Sequence, residues 1–122
     1  MNKDEISNMP AGREMDALVA EYVMGWETIS FESEIIPNHI VSGWNDEKRK
    51  EIVRSCYWQP SEDISAAWDV LAKLNLTDFC IEKVGEHYCV NLTVESACGE
   101  TAPLAICRAC LLAVVPANIG GV

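Results

Sequence analysis

Arg108 is the residue of this chain whose setting asks most plainly for chemistry. It is the only charged side chain from Leu104 to Val122, and at helical spacing it falls among Leu104, Cys107, Leu111 and Val115. A guanidinium on an apolar face must be paired, because a buried unpaired charge is costly. Two kinds of partner meet that demand. The weightier reading is a structural ion pair with Glu14, Asp16 or Glu100. The functional reading is the phosphate or carboxylate of a ligand, which the planar fork of arginine fits well.

Four tryptophans are many for a chain of 122 residues, so their positions matter. Trp26 and Trp68 end or lie on apolar stripes and read as core. Trp44 and Trp58, with Tyr57 adjacent, fall in a stretch without clear periodicity, close to Lys48-Arg49-Lys50 and Arg54. Aromatic faces beside cations can stack a nucleobase. Trp44, Tyr57, Trp58 and Arg54 therefore join Arg108 as candidate ligand-binding residues, although a solvated helix face is the plainer reading of the basic run.

The pair Cys107–Cys110 has CxxC spacing. A thioredoxin-type cysteine needs the N-terminus of a helix, where the dipole lowers the thiol pKa. Here the pair lies in the helix body. Structural zinc would need two further ligands, and Cys98, Cys89 or His87 could supply them only through the fold. Core packing is the reading adopted, because cysteine behaves as a small apolar residue. No metal or cofactor is implied. The chain also lacks a P-loop, GxGxxG, GxSxG or HExxH, and neither His39 nor His87 has a recognisable partner spacing. Enzymatic activity is left uncertain, leaning against.

Charge narrows the partners. Nineteen acidic against nine basic side chains give a formal net charge of −10, which repels duplex nucleic acid and anionic lipid. A small anion in one local basic pocket stays open. No stretch reads as a signal peptide or membrane span, so a cytoplasmic protein with all six cysteines reduced is expected.

The elements that must position these residues are unevenly legible. Residues 1–9 read as a loose polar arm, and 10–122 as one domain. Met15, Leu18, Val19, Tyr22, Val23 and Trp26 predict a helix from Gly12, with Arg13, Asp16 and Glu21 off its apolar face. Ser61 is expected to cap a second helix whose buried stripe is Ile64, Ala67, Trp68, Leu71 and Leu74, ending at Asn75. Residues 27–59 read poorly. Ile35-Ile36 and His39-Ile40-Val41 are candidate short strands, and Asn45 a candidate cap for a charged helical turn through Arg54. Residues 79–84 and 87–94, separated by Gly85-Glu86, predict an antiparallel hairpin in which Tyr88, Val90, Leu92 and Val94 share a face. Thr101-Ala102-Pro103 opens a last helix to Val115. It is apolar nearly all round, which implies a central position or a subunit contact, and hence a homo-oligomer.

Three blocks in this order resemble the phage ABA-sandwich domain family. They are Gly12 to Glu21 with Val23-Met24-Gly25-Trp26, then Pro60-Ser61 with Asp63 to Trp68, and Thr101 to Ala109. The resemblance implies a layered α–β–α sandwich, with helices on both faces of a small, largely antiparallel sheet. The departure is a long variable insertion at about 27–59. The resemblance brings no catalytic residues with it. The expected function is a non-enzymatic phage accessory protein that sequesters a nucleotide-type signal of host defence. An acidic inhibitor of a host protein and a small hydrolase of such signals stand as alternatives.

Overall fold

The computed structural model describes residues 3–32, 35–38, 40–46, 51–55, 57–76 and 78–115. Helix α1 (Lys3–Asn8) is followed by α2 (Arg13–Leu18), which widens into π-helical turns over Val19–Val23. Strands β1 (Glu27–Glu32), β2 (Ile40–Asp46) and β3 (Glu51–Arg54) come next. Helix α3 (Ile64–Lys73), strands β4 (Phe79–Val84), β5 (His87–Leu92) and β6 (Ser96–Gly99), and helix α4 (Ala102–Val114) complete the order. The fold is mixed α/β. In place of the one small sheet expected, the described residues form two antiparallel sheets, β1-β2-β3 and β4-β5-β6. Among the described residues no helix is long and apolar enough to cross a membrane.

Helix α4 is the hub. Thr101 Oγ1 accepts from the Leu104 N–H, and Pro103 occupies the first turn, where no N–H is needed. Eight of its residues are buried, because α1, the widened turns, α3, β5 and β6 all pack against it. That central position accounts for its all-round apolarity within one chain. Gly99 lets the first turn approach β6, since a Cβ there would lie 3.0 Å from the Ala105 nitrogen.

The hairpin follows the sequence pattern. Val84 pairs with His87 across Gly85-Glu86, and Gly85 takes the left-handed φ of 64° that the tight turn requires. Val90 and Leu92 are buried, whereas Val94 lies beyond the strand and is exposed. Strand β6 adds a partner the sequence did not announce. Its register sets Cys98 directly opposite Cys89, Cα atoms 4.1 Å apart, and the two form a disulfide. The expectation that all six cysteines are free thiols is thus corrected for this pair. The neighbouring strands bring together residues that sequence spacing left nine apart.

Other corrections have equally local causes. Residues 3–8 are a helix, not a loose arm: Ile6 is fully buried, Met9 nearly so, and Lys3 forms an ion pair with Glu95. Asn45 does not cap a helix. It lies in β2 opposite Ile52, and the β-branched pair Ile52-Val53 continues as strand. Ile35 and Ile36 sit in a bend with exposed side chains, while Ile40-Val41 open β2; His39 lies outside the described residues. Helix α3 is capped by Asp63, whose carboxylate accepts from Ser65 N at 3.2 Å. Ser61, the expected cap, is fully buried and works at longer range. Its N–H donates to Asp16 Oδ1 at 2.9 Å, and Gly12 N donates to its hydroxyl at 3.0 Å.

Asp16 is therefore not a surface residue of α2. It is 3% exposed, and burial raises its pKa above the ordinary 3.8, opposed by the hydrogen bonds from Ser61 and reinforced by the nearby charge of Glu62. An acid with a raised folded-state pKa contributes stability below its unfolded value and loses it as pH rises through the folded value. Asp16→Asn keeps an acceptor for Ser61 without the charge. It is expected to be more stable than the native chain at neutral pH, the difference vanishing below the ordinary value. Asp16→Ala strands the Ser61 N–H and should cost about 1–2 kcal/mol. Urea unfolding of the three proteins at neutral and acidic pH measures both effects.

Candidate functional site

Where α1 ends, beside the β6–α4 turn, the surface folds into an open cavity of about 540 Å³. Arg108 reaches it from the second turn of α4. Its Nε and Nη2 donate to the Met9 carbonyl at 3.1 and 2.9 Å, and its Nη1 donates to the Cys98 carbonyl at 2.8 Å. Three bonds leave two of the five guanidinium N–H groups without a protein acceptor among the described residues. The ion pair expected with Glu14, Asp16 or Glu100 is not made among the described residues; backbone carbonyls take its place. Burial pulls the Arg108 pKa down and the charge of Glu100 raises it.

Around Arg108 the cavity is lined by Asn8, His87, Glu100 and Thr101, with Pro10, Ala11 and Leu104 as apolar wall. Asn8 Nδ2 donates to the Asp4 carbonyl at 2.8 Å, which leaves its carbonyl oxygen and its second N–H for a ligand. His87 is exposed at the start of β5. Cation, carboxylate, imidazole, amide and hydroxyl thus meet over one small concavity. Such a set can hold an anionic group at Arg108 and a hydrogen-bond donor at Glu100.

The aromatic candidates lie elsewhere. Trp44 and Trp58 do come together, with ring centroids 5.5 Å apart in an edge-on arrangement, and Trp26 joins them at 6.4 and 4.6 Å. They are 3% and 9% exposed, so their faces are spent on each other and on the core. This corrects the expectation of a stacking platform. Tyr57 next to them is 79% exposed. Arg54 is in β3 opposite Gly43, and its side chain, like residues 47–50 of the basic run, lies outside the described part of the structure. Trp44, Tyr57 and Trp58 do not line the Arg108 cavity.

Two further groupings complete the polar chemistry. Arg13 Nη2 donates to the hydroxyls of Ser42 and Ser55, the second at 3.0 Å, and so fastens α2 to the first sheet. Cys107 and Cys110 are buried in α4. Burial pushes the Cys110 thiol up to about 12 and the Cys107 thiol higher still, which fits packing and not thiolate chemistry. Cys89 and Cys98 are bonded to each other and are not free to join them around zinc. Asn8 escaped the sequence reading because nothing in its local spacing links it to Arg108, and Glu100 was foreseen only as an ion-pair partner; the fold alone makes both of them cavity wall.

These features define a small mixed α/β protein with a polar cavity at a helix–strand junction. The profile of the phage ABA sandwich domain matches residues 17–111, most of the chain, and the chain belongs to that family. No curated protein and no solved structure matches it.

Proposed function

We propose that this phage protein binds a small anionic metabolite of the host, of nucleotide type, in the Arg108 cavity and withholds it without turning it over. The observation that carries this reading is the guanidinium of Arg108, held by two carbonyls at a cavity wall with N–H groups to spare. A phosphate or carboxylate is the natural acceptor for them. Glu100 on the same cavity repels a simple anion and favours one that also offers donors, such as a ribose hydroxyl or a base amino group. The cavity volume lies within the range of small-ligand sites. His87 supplies the ring against which a base would rest, in place of the buried tryptophans. The net charge of −10 selects against polymeric nucleic acid but not against a single mononucleotide.

Native mass spectrometry of the purified chain with a panel of cyclic and linear nucleotides tests the reading. A retained, unmodified nucleotide is expected, with affinity about tenfold weaker in His87→Ala and shifted in selectivity in Glu100→Gln, at unchanged melting temperature. Bare protein across the panel would overturn it. Conversion of the nucleotide would replace sequestration by hydrolysis.

A further inference from the structure

The face formed by α3 and β4 departs most sharply from the apolar pattern of the sequence. Ile64 and Trp68 occupy positions the periodicity assigns to the core, yet they are 49% and 51% exposed. Phe79, 41% exposed, meets Trp68 edge-on with centroids 5.9 Å apart. Phe79 and Ile81 pair with Leu92 and Val90, and so lie on the inner face of the second sheet. That face is covered by α4 over β5 and β6, and α3 packs on α4. The apolar side of β4 thus runs out past the helical layer, beside the exposed side of α3. Burying such residues is what the core does elsewhere, so a patch left open at this junction is a contact surface in waiting.

The charges that flank this patch in the chain select the partner. Between positions 62 and 79 the chain carries Glu62, Asp63, Asp69 and Asp78 against Lys73; farther along β4 Glu82 and Lys83 offset each other, Lys83 on the strand face of Phe79 and Ile81. Each of the first four acids is exposed, and none forms an ion pair among the described residues. Across a two-fold axis a second copy would set the patch and its flanking acids against their own copies, between chains of net charge −10. A nucleic acid would meet the same repulsion. We propose that this face docks a basic protein segment, whose aliphatic or aromatic anchor packs on Trp68 and Phe79 while its lysines or arginines meet Asp69, Asp78 and Glu62. This contact is independent of the Arg108 cavity.

A short labelled peptide alternating lysine and leucine, titrated with the full chain and read by fluorescence anisotropy, provides the test. The expected result is saturable binding that weakens with salt. It should fall about tenfold in Trp68→Ala, which removes the anchor site at constant charge. A comparable fall is expected in Asp69→Asn/Asp78→Asn, which keeps the apolar patch intact, whereas Glu5→Gln on the distant α1 should not matter. Equal affinity in Trp68→Ala and the native chain would reduce the effect to bulk charge and overturn the proposal. So would equal binding of a glutamate–leucine peptide, or a concentration-dependent dimer in light scattering that Trp68→Lys abolishes.

Discussion

Trp44→Ala is expected to lower the free energy of unfolding by about 3–5 kcal/mol, the usual cost of emptying a buried aromatic site. Trp44 projects from the middle strand of the first sheet, between Thr28 on β1 and Val53 on β3. With Trp58 and Trp26 it forms the aromatic contact through which that sheet meets the helical body. Removing it leaves a cavity that two tryptophan rings cannot both close. Urea unfolding followed by far-ultraviolet circular dichroism measures the loss, and ligand affinity of the folded fraction should stay unchanged. A variant of native stability that no longer binds nucleotide would instead restore the stacking role suggested by sequence.

What the sequence disclosed depended on how local each determinant is. Helix α4 was readable because its cap, its first-turn proline and its apolar run are contiguous, and the hairpin because Gly85-Glu86 sets its register within a few residues. In α3 the period was right, and Ala67 and Leu71 are buried as expected, but the buried stripe is rotated toward Ala66 and Val70. Ala66, Ala67, Val70 and Leu71 are the buried residues, while the larger Ile64 and Trp68, which dominate any hydrophobicity pattern, stand at the margin. Hydrophobicity shows that a side chain can be buried; whether a neighbouring layer reaches far enough to bury it is a property of the whole fold.

The first sheet was opaque for a related reason. Ile29 and Phe31 alternate with Thr28, Ser30 and Glu32 in β1, but a strand's identity rests on partners supplied by β2, 8 to 18 positions on. Ser61 shows the same limit in one residue. Its local context predicts a helix cap, and its contacts with Gly12 and Asp16, 49 and 45 positions away, make it a buried tie between segments. Of the candidate site, Arg108 was legible because a charge on an apolar helix demands an explanation. Its carbonyl acceptors were not, since backbone groups leave no mark on the sequence.

Those acceptors set the last expected result. Arg108→Ala should destabilise the chain by about 3 kcal/mol, because charge-assisted hydrogen bonds are each worth more than neutral ones and two carbonyls lose their donors. The Met9 carbonyl closes the end of α1 and the Cys98 carbonyl belongs to β6, so one guanidinium ties both to α4. Loss of the tie should undock α1 first, and hydrogen exchange at Ile6 should accelerate ahead of the amides of α4. Arg108→Lys retains the charge but not the fork, and an intermediate loss is expected. The deficit should stay constant across the pH range in which the Asp16 variants change, since the guanidinium remains charged throughout. A ligand anion would then add to this arrangement instead of creating it. Nucleotide should raise the melting temperature of the native chain and leave Arg108→Ala unmoved. Equal stabilisation of both would make Arg108 a purely structural clamp and place the binding site elsewhere.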